Sequence, residues 1–265
     1  MRYVGFIQIP VPLIRYGINH NLVKELQLLA AFKFVGSGKI HKDSSEFKAA
    51  IELLGVKDKR TIEKRLLAIQ NLGWVSLSSK SGYYFISGFE KLKKQYAFKG
   101  QKAAVCELGA LKKFREFVDG ALISENINGQ KLYYNYLLPK QKRAAAINKG
   151  AARKLKSASL QVAPPYYGLS NKSISKLLKC CLSVACERKQ AAANAGFIKT
   201  IKKRRVISYL YRPDYKIRMA FSGTESEAII RFEVVKRKNK NLIMVFEQLH
   251  DEIVPLIHIR RCKRP

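Results

Sequence analysis

One pattern of residues occurs twice in this chain, about 125 positions apart, and it limits what the chain can fold into. The first copy is SSEFKAAIELLGVKDKRTIEKRLLAIQNLGWVSLSSKSGYYFI, residues 44–86, and the second is LSNKSISKLLKCCLSVACERKQAAANAGFIKTIKKRRVISYL, residues 169–210. Each predicts a short helix, a tight turn, a longer helix stopped by a glycine and an aromatic residue, and then a β-hairpin. Leu53-Leu54-Gly55-Val56 aligns with Leu177-Leu178-Lys179-Cys180, and Gly73-Trp74-Val75 with Gly196-Phe197-Ile198. One residue of slippage separates the two alignments.

The first copy carries the stronger signals. Residues 20–35 place Leu22, Leu26, Leu29 and Ala30 at helical spacing ahead of it, ended by Gly36-Ser37-Gly38. Ser44 or Ser45 caps the next helix, with Phe47, Ile51 and Leu54 inward and Gly55 as its stop. Asp58 caps the longer helix, whose inner stripe is Ile62, Leu66, Ile69 and Leu72. The hairpin turns at Lys80-Ser81-Gly82. In the second copy Ser170 caps the shorter helix, carrying Ile174, Leu177 and Leu178, and Ser183 caps the longer one, with Ala185, Ala192 and Ala195 inward. No preceding helix is legible there, because PPYYG lies immediately upstream.

Outside the repeat, MRYVGFIQIPVPLIRYG reads as a strand or docking arm, broken by Pro10, Pro12 and Arg15, with no cleavage-site pattern of a signal peptide. KAAVCELGALKKFREFVDGALI reads as a helix, followed by a turn at Asn128-Gly129. Residues 139–165 are basic, rich in Ala and Gly, and end in a proline pair, as a linker does. IIRFEVVKR, LIMVFEQL and IVPLIHI read as strands, the first two joined by a turn at Lys238-Asn239-Lys240-Asn241.

Lysine and arginine number 51 against 19 aspartate and glutamate, a net charge of +32. Such an excess repels itself, and a polyanion relieves the repulsion, so nucleic acid is the first candidate partner and an anionic membrane surface the second. No run approaches the roughly 18 apolar residues of a membrane span, and no membrane partner is expected. Cys106, Cys180, Cys181, Cys186 and Cys262 are odd in number, and Cys180 and Cys181 are adjacent, which favours reduced thiols and a cytoplasmic setting. The C-C-x4-C cluster lacks the paired spacing of a zinc site, so its cysteines are expected to fill core, and no cofactor is expected. Catalytic motifs are missing too: there is no phosphate loop, Ile257-His258-Ile259 supplies one histidine where a nickase has two, and no tyrosine follows the H-x-x-R spacing of His258 and Arg261. Asp251-Glu252 beside His250 reads as an exposed turn. A binding protein is expected, not an enzyme.

On residues 20–86 and 169–211 the chain resembles tandem winged helix-turn-helix DNA-binding proteins. The resemblance implies an α+β fold: two winged-helix modules joined by a basic linker, with a C-terminal β-rich extension. The divisions are 1–98 for module 1 with its arm, 99–165 for a helical connector and linker, 166–215 for module 2, and 216–265 for the extension. The third helix of such a module presents its N-terminal half to the major groove. That implies contacts from Lys59, Arg60, Thr61, Lys64 and Arg65 in the first copy and Ser183, Glu187, Arg188 and Gln190 in the second. The wings would add Lys80 and Tyr83, and Lys202, Lys203, Arg204 and Arg205 at the second tip. Clustered tyrosines (Tyr133, Tyr134, Tyr136, Tyr166, Tyr167) suit core packing more than base stacking. Size, charge and two-module plan are similar to replication initiators of phages, plasmids and mobile elements, which bind origin repeats in double-stranded DNA and recruit replication machinery. A transcriptional regulator acting as a homodimer, and a basic RNA-binding or assembly protein, are the alternatives.

Overall fold

The computed structural model describes residues 5–36, 38–56, 58–141, 167–202, 204–210, 231–237, 240–248 and 251–261, the strands at 204–210, 231–237 and 240–248 as backbone. The fold mixes helices with small antiparallel sheets. Its N-terminal stretch divides in two: β1 (Phe6–Pro10) is the expected strand, but α1 (Val11–Asn19) is a helix. Pro12 sits in its first turn, where a missing N–H costs nothing, so this proline starts a helix instead of breaking an extended arm.

The first unit follows the sequence closely. Helix α2 (Val23–Val35) is buried on most sides, β2 (Lys39–His41) follows, and α3 (Ser45–Leu54) starts at Ser44, whose hydroxyl accepts from the Phe47 N–H at 3.2 Å. Gly55 then turns left-handed at φ 64°, and α4 (Lys59–Asn71) starts at Asp58. Gly73, at φ 68°, ends α4, and the Trp74 N–H returns to the Ile69 carbonyl at 2.9 Å. β3 (Val75–Leu77) and β4 (Tyr83–Ile86) complete a sheet in the order β2-β4-β3. Trp74 is fully buried, and its indole N–H donates to the Tyr96 hydroxyl at 3.0 Å; that hydroxyl donates to the Leu72 carbonyl at 2.8 Å. Tyr96 lies just beyond α5 (Phe89–Gln95).

Residues 102–123 are not one helix. Lys102–Glu107 form strand β5, which pairs antiparallel with β1, Gln8 facing Val105. A 3-10 turn over Leu108–Lys113 leads into α6 (Phe114–Leu132), which runs straight through Asn128-Gly129, where the sequence suggested a turn. Pairing with β1 overrides the local helix signals of Ala103 and Ala104 there. Helix α6 buries residues on several sides, from Phe114 through Ile127, because it packs on α1 and α2 and also on the helices of the second unit.

That unit is α7 (Asn171–Leu178), α8 (Leu182–Asn194), β6 (Ile198–Ile201) and β10 (Glu252–Pro255). Ser170 caps α7 as expected. Lys179 turns left-handed at φ 53°, as Gly55 does, and Gly196 ends α8 at φ 82°, as Gly73 ends α4. The Phe197 N–H returns to the Ala192 carbonyl at 3.0 Å, matching Trp74. Helices α4 and α8 are both 13 residues long. Helix α6, from the span assigned to the connector, packs on α7 and α8, as α2 packs on α3 and α4.

The second hairpin differs from expectation. β6 pairs with β10 and not with the strand that follows it: Ile198 faces Pro255 and Ile201 faces Glu252. Gly168 bridges Glu252 on the far side of β10. Gly168, β10 and β6 thus repeat the order β2-β4-β3. The strands β7 (Arg204–Leu210), β8 (Arg231–Arg237) and β9 (Lys240–Gln248) lie between β6 and β10 in the chain and form their own antiparallel sheet, β7-β9-β8. The last strand, β11 (Ile259–Arg261), pairs with the free side of β5. The C-terminal residues therefore complete earlier sheets. The expected linker from residue 142 onward, with Tyr166, His250 and Cys262, lies outside the described residues.

Candidate nucleic-acid interface

Helix α4 stands out from the first unit by its cap. Asp58 accepts from the N–H groups of Arg60 at 3.2 Å and Thr61 at 3.0 Å, and from the Thr61 hydroxyl. The Thr61 hydrogen bonds hold the Asp58 carboxyl below its ordinary value. Thr61 is therefore engaged in capping and only half exposed. Lys59, Arg60, Glu63, Lys64, Leu67 and Asn71 are exposed. Arg60, Lys64, Leu67 and Asn71 fall on one stripe at spacings of four, three and four, so the expected cations Arg60 and Lys64 share a face. Lys59 adds a third cation, and Glu63 is the acidic residue beside them. Arg65 departs from expectation: it lies inward of this face, in a cleft against Phe114 and Arg115. The i,i+3 turn from Ile62 places it beside the core stripe.

The β3–β4 hairpin of the first unit, where a wing is expected, is short. The Ser78 N–H donates to the Tyr83 carbonyl at 2.9 Å, and the Gly82 N–H to the Ser78 carbonyl at 2.8 Å, leaving Lys80 exposed at the tip. The Tyr83 ring is half-buried, set edge-on to His41 with centroids 5.0 Å apart and with the Lys39 ammonium 5.5 Å from its centroid.

The second unit presents a different face. Ser183, Glu187 and Gln190 are exposed on α8 at spacings of four and three, with the Gln190 amide donating to Asn194 at 2.8 Å. Cys181, not Ser183, occupies the N-cap position, and Ser183 lies two residues into the helix. Cys181 and Cys186 are exposed, so of this cluster only Cys180 packs against the core. The Ser183 hydroxyl and the Val184 N–H lower the Cys181 thiol below its ordinary value. Among the described residues no group of three or more His, Cys, Asp or Glu side chains could hold a metal ion.

Arg188, expected outward, points inward. Its Nε donates to Asp119 at 2.6 Å, its Nη2 bonds the other carboxylate oxygen, and its Nη1 donates to the Leu178 carbonyl at 3.2 Å. Asp119 is 1% exposed on α6, and Arg115 stands 3.7 Å away. Burial pushes the Asp119 carboxyl above its usual range against the downward pull of the Arg188 hydrogen bonds. A carboxylate in that position needs a cation, and α8 supplies it. The neighbouring Lys189 is buried too, its ammonium 2.9 Å from Asp251, so Asp251 is a structural ion-pair partner and not part of a free turn. Both basic residues of α8 are thereby occupied.

The four-cation tip at the second wing is not a tip. Lys202 is exposed at the end of β6, while Arg204 and Arg205 open strand β7 opposite Gln248 and Glu247. Lys203 lies outside the described residues. Sequence reasoning passed over Lys172, Lys176 and Lys179, all exposed on α7 and its turn. Their spacing of four and three, opposite buried Ile174 and Leu178, was the available signal.

Comparison with protein-family models, curated proteins and solved structures finds nothing that matches this chain. Among the described residues no helix is long and apolar enough to cross a membrane.

Proposed function

We propose that the chain is a double-stranded DNA-binding protein built from two winged-helix units, the first being the principal reader. The observation that carries this reading is the recurrence of one geometry in both halves: a capped helix, a left-handed residue, a 13-residue helix ended by a positive-φ glycine, and an antiparallel strand pair flanked on one side, by β2 in the first half and by the single Gly168 bridge in the second. In each half the long helix keeps one polar face free. Exposed Arg60 suits bidentate readout of guanine, while Lys59, Lys64 and Lys80 suit phosphates.

The second unit contributes differently. With Arg188 and Lys189 held inward, α8 offers Gln190 for adenine and Glu187 for cytosine, and Lys172, Lys176 and Lys179 take the phosphate contacts. Two unlike readers on one chain imply an asymmetric target, which favours a replication initiator of a phage or mobile element over a regulator on a palindrome. Homodimerisation and recruitment of replication or transcription machinery fit the same reading. The test is selection of bound sequences from random duplex DNA at physiological salt, with structured RNA as competitor. Enrichment of an asymmetric or directly repeated motif is expected. Preference for the RNA, or no enrichment, overturns the reading and leaves a basic RNA-binding or assembly protein.

A further inference from the structure

We propose that the cleft between the two units binds a phosphoryl anion. The cleft, about 350 Å³, lies where α2, α4 and the start of α6 meet. A volume of that order accommodates a phosphate or diphosphate group. Lys24 from α2, Arg65 from α4, Lys112 from the 3-10 turn and Arg115 from α6 line it, with Glu116 as the carboxylate among them. Four cations and one carboxylate leave an uncompensated positive charge at a concave site.

The arrangement has unmet donors. One terminal nitrogen of Arg65 is shielded from solvent and has no hydrogen-bond partner, which is costly for a charged group until an acceptor reaches it. Arg115 reaches only the edge of Asp119, at 3.7 Å, because Arg188 already grips both oxygens of that carboxylate. Lys24 and Lys112 form no ion pair among the described residues. Two guanidiniums facing one cleft match the several oxygens of a phosphoryl group better than a halide or a single carboxylate does. An anion held there would bridge the helices of the first unit to α6, the core helix of the second.

The phosphoryl group has two sources: free inorganic phosphate or pyrophosphate, or a backbone phosphate of bound duplex. The second rests on the DNA reading above, and the first stands without it. The experiment uses the full chain, Arg65→Gln and Lys112→Gln; Lys112 is exposed, so its variant keeps the fold. Inorganic phosphate and pyrophosphate are titrated against chloride of matched ionic strength, following thermal stability and heat of binding. Stabilisation of the unaltered chain, with affinity about tenfold weaker in each variant, is the expected result. For a backbone phosphate, each variant lowers the slope of log affinity against log salt by about one and leaves sequence preference intact. A reduced phosphate response with an unchanged slope assigns the site to a free anion. Folded Lys112→Gln that matches the unaltered chain in both phosphate response and salt slope overturns the proposal.

Discussion

Arg60 and Arg188 carry the same expectation of a base contact, yet the fold uses them in opposite ways. Arg60 projects from α4 into solvent, and Arg188 closes on Asp119. Arg60→Ala should leave stability nearly unchanged and cost about 1–3 kcal/mol of DNA binding, relaxing one position of the site. Arg188→Ala should instead cost about 3–5 kcal/mol of folding stability, because it strands a buried carboxylate. Denaturant melts beside DNA titrations of the two variants separate these effects. Cys106 gives a second prediction. Burial in β5 pushes its thiol up to about 12. In the unfolded chain the same thiol ionises near 8.5. The folded state therefore keeps a proton that the unfolded state releases, and stability falls as pH rises from the unfolded value toward the folded one, by about 1.4 kcal/mol per pH unit. Cys106→Ala should flatten that alkaline slope in melts between about pH 9 and 10.5, although its smaller side chain lowers stability at neutral pH.

At the scale of elements, local chemistry was the most legible signal. Ser44, Asp58 and Ser170 cap the helices that their positions announced, and Gly73 and Gly196 end the long ones. These signals need only a few neighbouring residues, which is why sequence carried them. The left-handed turn between the short and long helices is the instructive pair. Gly55 adopts φ 64° without strain, whereas Lys179 holds φ 53° with a side chain attached. Lys179→Gly should stabilise the chain by about 1 kcal/mol, and Gly55→Lys should destabilise it by a similar amount. Thermal melting of the two variants, expected to shift in opposite directions, checks this. Elements whose identity rests on distant partners were misread. β5 became a strand because β1 and β11 flank it. A window along the chain sees neither partner.

The whole molecule is organised around α6. It packs on α7 and α8 of the second unit and on α1 and α2 of the first, so one continuous apolar cluster serves both halves. The second unit is closed by β10, which comes back to β6 after the β7-β9-β8 sheet has left and returned. That sheet stands in the place of the short Ser78–Gly82 turn of the first unit. Replacing residues 203–250 with a short turn should therefore preserve the β6–β10 pair and a cooperative melt; loss of folding in circular dichroism would contradict the equivalence of β6–β10 with β3–β4. The sequence by itself determined the repeat, the caps, the stops and the excess of positive charge, because each depends on residues within a turn or two or on composition alone. Only the tertiary structure decided that α6 packs against α7 and α8, that β10 pairs with β6, and that Arg188 and Lys189 face carboxylates instead of solvent. Those outcomes depend on pairing across 62 residues between Lys189 and Asp251 and 69 between Arg188 and Asp119. A buried carboxylate takes its cation wherever the fold brings one, and no local pattern records that choice.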